Sequence, residues 1–125
     1  MAYNNNVLSN INAINITGEK QYQDLYFGTS PLLIAESAFQ GMPKLKSFTV
    51  NNYKDTIQIG KYAFDGLKSL TTVKLPPNKS SLIISDSAFQ NCSNLTGITE
   101  MLSSSNLTVG INAFSGCDKL TDLSI

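Results

Sequence analysis

Histidine and tryptophan are absent from this chain, and charge is scarce. Without histidine the chain lacks the commonest general base and the commonest metal ligand. Charged side chains make up 14%, nine basic against nine acidic, for a formal net charge of zero. An ordinary globular chain carries roughly 25%. The balance argues against the basic patch that nucleic acid or an anionic membrane surface demands. No apolar run approaches the ~18 residues needed to span a bilayer. The Asn-rich segment from Met1 to Val7 is too polar to serve as a signal peptide. No nucleophile–base pair, phosphate loop or metal-ligand spacing is visible, and Gly60-Lys61 lacks the rest of a P-loop. These absences predict a protein that is not an enzyme and holds no cofactor or metal. Asn, Ser and Thr take the place of charge, and such a surface suits strand-rich repeats and extracellular proteins.

What is present is a repeat. Ala-Phe recurs at Ala38-Phe39, Ala63-Phe64, Ala88-Phe89 and Ala113-Phe114, a strict 25-residue period. The neighbouring slots recur with it. Ile34, Ile59, Ile84 and Val109 stand four before the alanine, with Leu32, Ile57, Leu82 and Leu107 two earlier. Met42, Leu67, Cys92 and Cys117 stand three after the phenylalanine. Leu45, Leu70, Leu95 and Leu120 follow, then Phe48, Val73, Ile98 and Leu123. The last slot holds Val50, Leu75, Glu100 and Ile125.

Period-two alternation in Leu70-Thr-Thr-Val73-Lys-Leu75 predicts a short strand with one face buried. A turn-rich loop follows, at Asn51 to Asp55, Pro76 to Ser80 and Met101 to Ser105. A second alternating piece comes next, as in Ile57-Gln-Ile59. Ala38, Phe39, Met42 and Leu45 then fall on helical spacing, with Gly41, Gly66, Asn91 and Gly116 where such a helix would tighten or end. The expected fold class is an α+β repeat solenoid of about four and a half 25-residue units, each with short strands and a helical turn. A single unit cannot bury its apolar side, so the units must stack, about 4.8 Å apart along a sheet. Units begin near residues 34, 59, 84 and 109 and span 34–125. Residues 1–33 read as a degenerate repeat or cap, with Ala13-Ile14 in the Ala-Phe slot and Leu25 and Phe27 in strand slots after a two-residue insertion. The bare last slot at Ile125 suggests a piece cut from a longer array and leaves room for end-to-end self-association.

The pattern I-x-x-x-A-F-x-G/N-C-x-x-L-x-x-L-x-I resembles the BspA-like (Treponema pallidum type) leucine-rich repeats. The match is close over 32–125 and loose over 9–31. The Ala-Phe pair and the cysteine slot separate this class from other leucine-rich repeats. The resemblance implies a non-catalytic protein-binding module, on the cell surface or secreted, adhering to host extracellular-matrix or cell-surface proteins. A structural spacer in a larger surface protein and an intracellular interaction scaffold are the alternatives, since fold alone does not fix function.

Repeat proteins commonly bind on an outward strand face. Two ladders should line it. Ser47, Thr72, Gly97 and Asp122 form one; Thr49, Lys74, Thr99 and Ser124 form the other. The second strands should carry Leu33, Gln58, Ile83 and Thr108 outward. Cys92 and Cys117 share a slot one repeat apart. In-register Cβ atoms near ~4.8 Å lie outside the usual disulfide range of about 3.5–4.5 Å, so buried reduced thiols are expected. Glu100 breaks the core pattern, because a lone buried carboxylate is costly. The strand should bulge there and turn Met101 or Leu102 inward. Asn15, Asn78, Asn91, Asn94 and Asn106 begin Asn-x-Ser/Thr triplets, which matter only in a secreted eukaryotic protein.

Overall fold

The computed structural model describes residues 10–18, 31–77 and 79–121. Eight short strands run through them: β1 (Ala13–Thr17), β2 (Leu32–Ile34), β3 (Ser47–Asn51), β4 (Ile57–Ile59), β5 (Thr72–Lys74), β6 (Ser81–Ile84), β7 (Gly97–Thr99) and β8 (Asn106–Val109). Odd strands form one parallel sheet in the order β1-β3-β5-β7, and even strands form a second, β2-β4-β6-β8. The chain therefore winds as a coil, contributing one strand to each wall per turn. The register follows the repeat. Phe48 pairs with Val73 and Val73 with Ile98 on the first wall; Ile57 pairs with Leu82 and Leu82 with Leu107 on the second.

The alternation places the apolar slots between the walls. Phe48, Val73 and Ile98 from one sheet and Ile57, Ile59, Leu82 and Ile84 from the other have no solvent exposure. The repeat phenylalanines stack between them. Phe64 and Phe89 lie 4.9 Å apart and nearly parallel, and Phe89 and Phe114 are 5.5 Å apart. Phe48 meets the edge of Phe64 at 4.9 Å. Ala63 and Ala88 beside the rings are fully buried, which is why that slot stays small. Burial weakens in the last coil. Leu107 and Val109 occupy inward slots but remain exposed.

The expected helical turn does not form, so the fold is a solenoid of strands and turns rather than α+β. In every repeat the Ala-Phe segment is a run of tight turns. Amides alternate between their own coil and the next. Ala38, Gln40 and Met42 donate to Ala35, Ser37 and Phe39, three positions back. Ser37, Phe39 and Gly41 donate instead to Lys61, Ala63 and Asp65 of the next coil. The switch needs a left-handed residue at two fixed places. Ser37, Tyr62, Ser87 and Asn112 take one, with φ of 58–59°; Gly41, Gly66, Asn91 and Gly116 take the other, with φ of 61–79°. A residue with positive φ every few positions cannot propagate an α-helix. The helix-like spacing of Ala38, Phe39 and Met42 is a by-product of these turns.

Ala13-Ile14 is also not an Ala-Phe slot. It opens β1, which pairs Ala13 with Ser47 and Ile14 with Phe48. That first step along the chain is longer than the 25-residue step that separates every later pair, such as Ser47 and Thr72 or Thr72 and Gly97. Ile14 and Ile16 pack as strand residues against the core. Leu25 and Phe27, assigned to strand slots, lie outside the described residues, as do Leu123 and Ile125. The expectation at Glu100 holds. Glu100 turns left-handed at φ 60°, a 3-10 turn runs over Met101–Ser103, and Met101 is buried while Leu102 stays exposed.

Candidate binding surface

The first wall presents its outward side chains in rows. Ser47 aligns with Thr72 and Thr72 with Gly97; Thr49 aligns with Lys74 and Lys74 with Thr99. All six are half-buried or exposed, Lys74 the most open. Asp122 and Ser124, the fourth members of the two rows, lie outside the described residues. The strand β1 extends both rows at the other end, Ala13 beside Ser47 and Asn15 beside Thr49. The 25-residue count missed this extension because the first step is longer than the others. Apolar alternation in Ala13-Ile14-Asn15-Ile16-Thr17 was the signal available.

The pleat is what positions these groups. Phe48, Val50 and Val73 turn inward, so their neighbours must face solvent. Along the margin of the face, hydroxyls are occupied: Thr71 donates to the Lys46 carbonyl at 3.2 Å and Thr96 to that of Thr71 at 3.0 Å. These bonds tie coil to coil and stiffen the backbone under the rows. Lys74 is the one charged member of the six, so the face is nearly neutral and rich in hydroxyls. It suits a polar protein surface better than a phosphate backbone.

The second wall differs. Its outward row runs Leu33, Gln58, Ile83, Thr108, as the alternation requires. Leu33 is well exposed and Ile83 half-buried, but polar Gln58 separates them, and isolated apolar residues of this kind are ordinary.

A third surface lies on the turn edge. The left-handed residues Gly66, Asn91 and Gly116 line the floor of an open groove of about 520 Å³, flanked by Asp65, Lys68 and Asp118. One Asp65 oxygen accepts from Gln40 Nε2 at 2.9 Å, across one coil step. A side chain at Gly66 would meet nothing within 4 Å, so the groove is open there.

The loop edge holds the residue that the sequence least announced. Lys79 is only 1% exposed. Its ammonium donates to the Pro76 carbonyl at 3.2 Å, the Ser103 hydroxyl at 3.3 Å, and the Glu100 carbonyl. Burial lowers its pKa, and the nearby Glu100 carboxylate partly counters that. Three donors meet three acceptors, so Lys79 fastens one loop to the next. In a Pro-Pro-Asn-Lys-Ser loop a lysine reads as solvated, and no pattern marks it otherwise.

Among the described residues no group of three or more His, Cys, Asp or Glu side chains could hold a metal ion. No helix among them is long and apolar enough to cross a membrane. A family model described as BspA type leucine rich repeat region, in six copies, matches residues 15–125. Among curated proteins and among solved structures, nothing matches the chain.

Proposed function

The chain belongs to the BspA-type leucine-rich-repeat family, a class of protein-interaction repeats, and on that premise we propose that it is a cell-surface or secreted adhesion module. Its partner is a protein of the extracellular matrix or of another cell's surface. The contact face is the outward side of the β1-β3-β5-β7 sheet, and Ser47, Thr49, Thr72, Lys74, Gly97 and Thr99 carry it. Asp122 and Ser124 extend the two rows by sequence.

The observation that supports this reading is the register. Four hydroxyl side chains and one lysine stand at the coil spacing on a wall held by its own ladder. The hydroxyls present donors and acceptors with little side-chain entropy to lose on binding. Because they are short and nearly neutral, the wall excludes neither a hydroxyl-rich nor a moderately charged partner surface.

A solid-phase screen against matrix and cell-surface proteins tests the proposal, run with wild type and a Thr49→Arg, Lys74→Glu double variant. We expect at least one partner, with at least a tenfold loss in the variant. Silence across the panel, or equal binding by the variant, would sink it. A spacer role predicts that the variant leaves the parent protein's function intact.

A further inference from the structure

The two thiols lie away from the ladder face, on the turn edge. Cys92 follows the left-handed Asn91, and Cys117 follows the left-handed Gly116, one repeat later. Both are free; Cys92 is buried and Cys117 half-buried. Each thiol donates to a carbonyl of the coil before it, Cys92 to Phe64 at 3.0 Å and Cys117 to Phe89 at 3.1 Å. Phe64 and Phe89 are themselves one coil apart. Equivalent bonds to equivalent acceptors set the sulfurs one coil step from each other, about 4.8 Å.

That spacing is poor for a disulfide, whose Cβ atoms sit about 3.5–4.5 Å apart with the sulfurs in covalent contact. A different bridge fits. Two thiolate–metal bonds of about 2.3 Å, laid end to end, span about 4.6 Å. No third or fourth ligand joins the pair among the described residues, which removes tetrahedral zinc. What remains is an ion satisfied by two soft ligands in line.

We propose that Cys92 and Cys117 form a binding site for a two-coordinate, thiophilic d10 cation. Sulfur ligands select such ions over harder ones. Binding forms two S–M bonds and releases both thiol protons to solvent, with no oxidation or reduction. A monovalent ion leaves the site with one net negative charge, and a divalent ion leaves it neutral. Asp65 acts on Cys92 and Asp118 on Cys117, both opposing ionisation. Lys68 stands on the same groove with the opposite charge. Cys117 is half-buried beside the open groove and Cys92 is buried, so an ion reaches Cys117 first and Cys92 completes the pair.

The test uses the full reduced chain titrated with silver(I) and, separately, mercury(II), in buffer free of chloride and added thiol. Native mass spectrometry should give one ion per chain, and the melting temperature should rise with either ion. X-ray absorption on the loaded wild type should show two sulfur neighbours and no others. Cys92→Ser and Cys117→Ser should each weaken binding at least 100-fold. Two ions per chain, a coordination number above two, or a serine variant that keeps wild-type affinity would overturn the proposal. So would ready formation of a Cys92–Cys117 disulfide in the folded chain with a small-molecule disulfide. The absorption measurement stands even if a serine variant fails to fold, and none of these results bears on the ladder face.

Discussion

The two edges of the solenoid are built on opposite rules. The turn edge repeats itself: the same amides cross to the next coil and the same two positions go left-handed in each repeat. The loop edge is different in each. Tyr53 and Asp55 are buried in one loop, Lys79 in the next, and a 3-10 turn with Met101 closes the third. Along the turn edge, backbone bonds between coils carry the pattern, and side chains such as Gln40, Asp65 and Cys92 add to it. Where the ladder lapses, side chains must supply the hydrogen bonds instead, and each loop does so in its own way. A repeat array is thus only as regular as its backbone bonding. Asp55 illustrates the lapse. One carboxylate oxygen accepts from the Thr56 amide at 2.6 Å and lies 3.5 Å from the Ser80 hydroxyl, while its other oxygen is buried without a protein partner.

Three substitutions probe that contrast. The largest effect belongs to the core that both edges share. Phe64→Ala removes a fully buried ring that touches Phe39, Phe48 and Phe89, and should cost about 3–5 kcal/mol in denaturant unfolding. A loss under about 1 kcal/mol would place Phe64 outside the core. Next comes the loop edge. Lys79→Met keeps the aliphatic stem but strands the Pro76 carbonyl and leaves the Glu100 carbonyl only the Ser103 hydroxyl at 2.9 Å, a cost of about 1–3 kcal/mol. Faster amide exchange should then be confined to residues 76–80 and 100–104. Spread of that exchange to the turn edge would show that the two edges are not independent. The smallest effect tests the turn edge. Gly66→Ala meets no neighbouring atom but places a side chain at φ 75°, costing about 1 kcal/mol from the backbone alone. A neutral result would mean that the left-handed position tolerates any residue, as Tyr62 does at the other one.

Much of this was readable in advance. The outward rows Ser47-Thr72-Gly97 and Thr49-Lys74-Thr99 followed from alternation and a 25-residue count, because a strand's period of two leaves no choice of face. The inward turn of Met101 followed from the cost of burying Glu100. The turn segment was misread because i, i+1, i+4 spacing describes both a helical face and a pair of linked turns. Side-chain periodicity does not report where the amides go. The strand β1 was misplaced because an irregular first step broke the count. Lys79 carried no pattern at all, since its burial depends on Glu100 and Ser103, a whole coil away.

The sequence by itself determined the period, the residues that fill the interior and the two rows that face outward. Each of these is fixed locally, by apolar matter that must leave water and by a pleat that alternates. Only the tertiary structure decided that the Ala-Phe segment turns rather than coils into a helix, that β1 joins the first wall, and that Lys79 is locked between loops. Those outcomes rest on hydrogen bonds between neighbouring coils, whose partners are a full repeat or so distant along the chain, and no local pattern encodes a partner at that distance.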